Sequence, residues 1–409
     1  MAMQNEPELN YLELVQPDTS LNWPHQTPAG SQWPKEKFQW LVTLARLHRY
    51  GMGLIFQMDL ELDHQETTQY MVIIRSSTFV LDQYYVRDAK DWLLRLGYNT
   101  TRTAALVRDM NNLRKKLIKL PDFERHERRR MTLQELEIDH GVPIKEYLEV
   151  VFDRKFPSDF VVLIDYLENL IKLNQLMSSY DQETVAIYLM NLFVDFTKAS
   201  RYVHTYRDYD FVCVNMVKYL MKSASYLLYE EHVLGPKKVK EYDEEVQRNL
   251  LSSITVSVGN VHRAQGYRRS LTELYADLNL HDDFPSVHLK ALEIHTKLWM
   301  QKLDNKEFTV PYPGNEGVVL MGTSIVVPFS ILEEPFFTAR GHDVFKVSLL
   351  GYQIAGQVLS ALFPYPKLPF TGCHQYNELI GTIDDLGRMP TSRRNPDLNK
   401  RNPALPKFL

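Results

Sequence analysis

The side chains whose spacing could support chemistry fall into a few groups, and each has an inert alternative. His126-Glu127 opens the zinc-binding pattern His-Glu-x-x-His, in which two imidazoles four residues apart stand one above the other on a helix face. Four residues after His126 stands Arg130, so the second imidazole is missing and no site results. His281, His288 and His295 recur every seven residues. Seven helical residues rise about 10.5 Å, too far for one metal holding each ligand at about 2.1 Å. Asp283 to Pro285 also interrupts the pattern, so surface or capping roles are expected for these histidines. The basic runs Arg114 to Lys119 and Arg125 to Arg130 read as a solvated helix and loop rather than an anion site. Asn99-Thr100-Thr101 is a glycosylation acceptor pattern, meaningful only in a secreted chain. No Gly-rich phosphate loop and no repeat of fixed period occurs.

Bulk properties narrow the classes. The 409 residues carry 47 Lys and Arg against 51 Asp and Glu, a formal charge of −4, so no global field favours nucleic acid or an anionic membrane. Only Cys213 and Cys373 are present, which rules out a disulfide framework. The first thirty residues have no basic start followed by an apolar stretch, so neither an export signal nor an anchor is read there. Apolar runs such as Phe160 to Ile164 are short against the roughly 20 residues a membrane helix needs. Neither nucleic-acid binding nor direct membrane insertion is expected.

The elements that would position a site can be read in order. Residues 1–32, rich in Pro, Asn and Gln, read as an extended N-terminal arm on the surface. From Lys35 to Arg49, Phe38, Leu41, Leu44, Ala45 and His48 recur at three and four, a helix stopped by Gly51 and Gly53. GLIFQMDLEL and TQYMVIIRSS alternate as two strands of a small hairpin. Helices are expected over DAKDWLLRLGY, TAALVRDMNNLRKKLIKL, MTLQELEI, the stretch SDFVVLIDYLENLIKLNQLM from Ser158, Gln182 to Arg201, Tyr209 to Glu231, Lys240 to Ser253 and His288 to Asn305. After a Pro/Gly-rich turn, Thr323 to Pro328 reads as a strand and Val344 to Phe363 as a helix.

Several segments, in this order, resemble the neprilysin and endothelin-converting-enzyme family of zinc metallopeptidases. WPKEKFQWLVTLARLHRYG is similar to its first helix, STFVLDQYYV to its Leu-Pro-x-x-x-Tyr-Tyr turn, and MTLQEL with Tyr147-Leu148 to its Met-Thr-Leu-x-Glu-Leu segment. ETVAIYLMNLFV, and Cys213-Val214 with the helix ending Leu227-Leu228-Tyr229, resemble two helices of the large lobe. SIVVPFSILEEPFF, Ser324 to Phe337, resembles the strand and turn that precede the family's zinc helix. The resemblance implies a mainly α fold: a large helical N-terminal lobe over 33–305 with a small β hairpin. It is followed over 306–409 by a truncated, gluzincin-like (thermolysin-like) peptidase unit with one short strand and one long helix.

The resemblance also implies a zinc site, and the aligned residues do not supply one. Tyr352 and Gly356 stand at the two His positions and Gln353 at the catalytic Glu. A phenol of pKa about 10 stays protonated at neutral pH, glycine has no side chain, and a neutral amide accepts no proton from water. For the third ligand, one alignment puts Gly381 at the ligand and leaves Asp385 as its orienting carboxylate; a rival alignment matches Asp384 to Arg388 with a different Asp-Asp-x-Gly-Arg stretch. The family's transition-state His and Arg would lie further on, but no His follows His374. The backbone-holding Asn-Ala-Tyr/Phe segment falls on Asn315-Glu316-Gly317. If Ile325, Val326 and Val327 formed an edge strand, an extended peptide could still add to it; the alternative is a plain core strand. Cys213 and Cys373 match family cysteines whose partners are not found here, so free thiols are expected.

The expected function is therefore that of a pseudopeptidase, catalytically inactive and without bound zinc, that binds peptides or a protein partner or has a regulatory role. Two alternatives stay open: a residual zinc metalloendopeptidase acting on short peptides, and a degenerate or incomplete gene product. Family members are plasma-membrane or secreted proteins, so the resemblance and the missing export signal pull the compartment in opposite directions.

Overall fold

A computed structural model of the chain describes residues 8–62, 70–76, 89–120, 128–199, 209–240, 256–258, 272–304, 318–327, 331 and 350–362, apart from single positions at 29, 236, 239, 280, 322 and 323. It divides into two compact units, Met1–Ile354 and Ala355–Leu409. In the second unit the described residues, 355–362, are helical. The fold is mainly α, as expected. The expected helix over Lys240 to Ser253, beyond Lys240 itself, and the STFVLDQYYV turn lie outside the described residues.

The chain opens with a difference from expectation. Residues 8–14, expected to be extended arm, form α1 (Glu8–Leu14), and Tyr11, Leu12 and Val15 are buried. The reason is tertiary: α1 packs on α8 (Gln182–Ala199) and α11 (Phe284–Met300), and Tyr11 Oη lies 2.8 Å from His288 Nδ1. Leu21 and Trp23 add to the same core, with Trp23 Nε1 donating to the Val15 carbonyl.

Helix α8 is the centre of the first unit. Every residue from Thr184 to Val194 is buried, so this stretch of the helix has no solvent face, the pattern of a segment enclosed on all sides. Its buried amide is matched on both sides: Asn191 Oδ1 accepts from Trp92 Nε1 at 3.0 Å, and Asn191 Nδ2 donates to Asp195 at 3.2 Å. Around it stand α2 (Trp40–His48), α4 (Thr100–Ile118) and α7 (Leu167–Ser179). Gly51 at φ +88° ends the α2 turn in the left-handed region, where glycine carries no Cβ penalty. Asn99, the acceptor of the glycosylation pattern, caps α4 by accepting from Arg102 N at 2.9 Å. Asn99→Ala is expected to lower stability by about 1 kcal/mol, read as a shift in the urea midpoint at unchanged slope.

The expected hairpin forms, with β1 (Phe56–Leu62) antiparallel to β2 (Tyr70–Ser76), but it is only half of its sheet. β3 (Arg128–Thr132) and β4 (Val161–Asp165) complete a four-stranded mixed sheet in the order β1-β2-β4-β3. β4 begins where a single helix from Ser158 was expected. Its Val-Val-Leu-Ile run pairs in parallel with β2 and antiparallel with β3, and Tyr166, at φ 61° and ψ 62°, reverses the chain into α7. Met58, Leu60, Val72, Ile74, Val162 and Ile164 are buried in the core, and Asp59, Glu61, Arg75 and Asp165 stand at alternate positions, the period-2 pattern of a strand. Arg75 binds Asp59 (2.7 Å), Asp165 (3.0 Å) and Glu61; Arg128 binds Asp165 (2.9 Å) and Glu61 (3.4 Å). The basic run expected as solvated loop thus contributes Arg128 to a cross-strand ion lattice, since strand pairing sets Arg128 opposite Asp165.

Candidate functional site

The expected site residues centre on α12 (Tyr352–Leu362) and the strand before it. In α12, Tyr352 and Gly356 are four apart, positions that helix geometry sets on one face. Tyr352 is 58% exposed, Gly356 is exposed and Gln353 is intermediate, whereas Ile354 is buried. Among the described residues, a Cβ added to Gly356 would meet nothing within 4 Å. This face offers one phenol, one neutral amide and a position with no side chain. A catalytic zinc shell takes three protein ligands drawn from imidazole, thiolate and carboxylate, and these three residues do not fit it. Among the described residues, no three His, Cys, Asp or Glu side chains converge to hold a metal ion.

The strand differs from the expected edge. β7 (Ser324–Val327) lies at the centre of a three-stranded sheet, parallel to β5 (Val256–Val258) and antiparallel to β6 (Val319–Met321). Ile325 pairs with Val256 on one side and Leu320 on the other, and Val326 pairs with Ser257 and Val319. Both backbone edges of Ile325 and Val326 are occupied, so these residues cannot accept a further strand, and Val327 pairs with Val258. Val327 is fully buried, as befits an apolar run in the middle of a sheet. Asn315, Gly381, Asp385 and Cys373 lie outside the described residues, as does the side chain of Cys213.

Of the spaced histidines, His288 departs most from expectation. It is buried in α11, hydrogen-bonded to Tyr11 and stacked on Phe284, a core role that the lone histidine could not reveal without the helix it meets. His295 stacks on Tyr219, and exposed His281 lies outside the helix, which starts at Phe284 behind the Asp283 cap. Among the described residues, no helix is long and apolar enough to cross a membrane.

A family model described as peptidase family M13 matches residues 6–255, more than half of the sequence. The chain belongs to peptidase family M13. The matched residues cover the helical region and end before the strand and helix of the candidate site. The fold of this M13 chain is similar to that of the zinc metalloprotease Zmp1 of Mycobacterium tuberculosis in its open state. There the TM-score is 0.59 at 17% identity, over 87% of this chain and 62% of that one. Against Zmp1 in complex with an inhibitor the TM-score is 0.55 at 16% identity, over 86% and 60%. At such identity the likeness is one of fold. The chain spans 62% of the length of open-state Zmp1. Comparison with curated proteins finds no match.

Proposed function

We propose that this M13 chain is a pseudopeptidase: it has lost its zinc and catalytic residues and acts by binding peptides or a protein partner. The observation that carries this is the donor chemistry of α12, where the aligned zinc ligands are Tyr352 and Gly356 and the aligned general base is Gln353. Water activation needs a proton acceptor within reach of the attacking water, and a neutral amide is not one. The proposed organisation is a helical lobe over 33–305 followed by a peptidase-lobe remnant over 306–409. Binding of an extended peptide needs only a strand edge, not a metal. With β7 enclosed, the edges of its sheet among the described strands are β5 and β6.

Purified protein dialysed against zinc is expected to retain substoichiometric metal by mass spectrometry. It is also expected to show no chelator-sensitive cleavage of a short-peptide panel, while anisotropy detects binding of labelled peptides from that panel. One zinc per chain, with cleavage abolished by Gln353→Ala, would establish the residual peptidase instead. Absence of binding across the panel would remove peptides as the ligand class.

A further inference from the structure

A cavity of about 190 Å³ opens in the first unit where the C-terminal ends of α6 (Ile144–Phe152) and α11 meet the end of α2. It is smaller than the roughly 300–1,000 Å³ of drug-sized sites and so suits a small metabolite. Its apolar wall includes Val151 and Met300, both buried. The charged wall divides into two groups of opposite balance. In the first, Glu293 receives Arg49 at 3.0 Å, Lys297 at 3.2 Å and Lys290 at 3.5 Å. One carboxylate thus faces three cations, of which Lys290 also reaches Asp277 at 4.0 Å, leaving the group net positive. In the second, Arg154 is paired with Asp304 and flanked by Asp153, one cation to two carboxylates. Asp153 is held at φ 52° as the left-handed cap of α6. The Arg154 guanidinium lies over the Phe156 ring at 4.7 Å and the Phe152 ring at 5.6 Å, and its Nε is buried without a hydrogen-bond partner. A cavity with an excess of positive charge in one group, an excess of negative charge in the other and an apolar wall matches a ligand that is itself zwitterionic and partly apolar.

We propose that this cavity binds a small zwitterion of the amino-acid type, a free amino acid or dipeptide with an apolar side chain. Arg49 and Lys297 hold its carboxylate, Asp153 and Asp304 its ammonium, and Val151 and Met300 its side chain. The proposal is independent of whether α12 binds zinc. Charge-assisted hydrogen bonds give such a site its selectivity, because each group of the ligand that is capped leaves a charged partner unmatched.

Calorimetric titration with L-leucine and Gly-Leu is expected to detect binding of at least one of them. N-acetyl and C-amide forms of that ligand should bind about tenfold more weakly, the loss of one such contact. Lys297→Met and Asp304→Asn alter side chains that are 45% and 57% exposed, so the fold tolerates them. The first variant should bind the free and amidated ligands alike, the second the free and acetylated ligands alike. The proposal is overturned if neither zwitterion binds, if capped forms bind as tightly as free ones, or if inorganic phosphate binds in their place, which would mark a plain anion site.

Discussion

Acidification from about pH 6.5 to about 4 is expected to remove on the order of 3 kcal/mol of stability through His48 alone. The imidazole ends α2 fully inside the core, against Tyr147 at a ring separation of 6.0 Å and beside the bare backbone of Gly53. Tyr147 Oη lies 2.7 Å from His48 Nδ1, and burial keeps the phenol protonated far above neutrality, so it donates and the imidazole accepts. Burial pushes the imidazole down from 6.5 to about 4. Between those values the unfolded chain binds a proton that the folded chain refuses, so the unfolded state gains as pH falls. The contribution is fully present above 6.5 and is lost on the way down to 4. His25, also pushed to about 4 by burial, acts in the same direction, more weakly because it is partly exposed. Glu135, held low by the Thr132 backbone N–H and hydroxyl, and Glu149, held low by Lys155, keep their contribution above the ordinary carboxylate range and lose it only as pH falls below that range. Urea melts at a series of pH values for wild type and His48→Gln isolate the effect. The amide accepts the same hydrogen bond without titrating, so the pH slope between 6.5 and 4.5 should shrink in the variant. Equal slopes would show that His48 is not the acid-sensitive group.

Phe193→Ala is expected to cost about 3–5 kcal/mol. Phe193 is fully buried on α8, where every position from Thr184 to Val194 is enclosed, and it packs against Tyr50 at a ring separation of 6.2 Å. A helix buried on all sides leaves the neighbouring helices no free direction in which to collapse, so the truncation leaves a cavity as well as losing apolar contact. Against a total stability of roughly 5–15 kcal/mol, the variant should unfold at markedly lower denaturant. Val214→Ala serves as the contrast: this side chain is more than half exposed on α9 (Tyr209–Leu220), and its loss should be worth less than about 0.5 kcal/mol. A Phe193 variant as stable as the Val214 variant would mean that α8 is not the core.

These two tests concern the helical region, whereas the proposed function turns on α12. There a Cβ added to Gly356 would meet nothing within 4 Å among the described residues, so a side chain could start from this helix position. The proposed loss of catalysis therefore lies in side-chain chemistry, and the zinc and cleavage assays address it without depending on the stability of the core.

The sequence alone determined much of this. The three-and-four spacing of Leu41, Leu44 and Ala45 marked α2, alternation marked β1 and β2, and the ordered motifs pointed to the family. It also determined the residue types at 352, 353 and 356, because which donor atoms a side chain carries is a property of residue type and needs no coordinates. Tertiary structure decided what depends on partners distant in the chain. Val161 to Ile164 is apolar enough for helix or strand; pairing with Ile73 and Arg130 made it a strand. Tyr11 looked like part of a polar arm until α8 and α11 gave its helix a surface to bury against and His288 gave its hydroxyl a partner. Whether Ile325 lay at an edge depended on β5, some seventy residues earlier. The cavity is beyond sequence reading altogether, because Arg49, Arg154 and Lys297 meet only when three helix ends converge, and no local periodicity encodes that meeting.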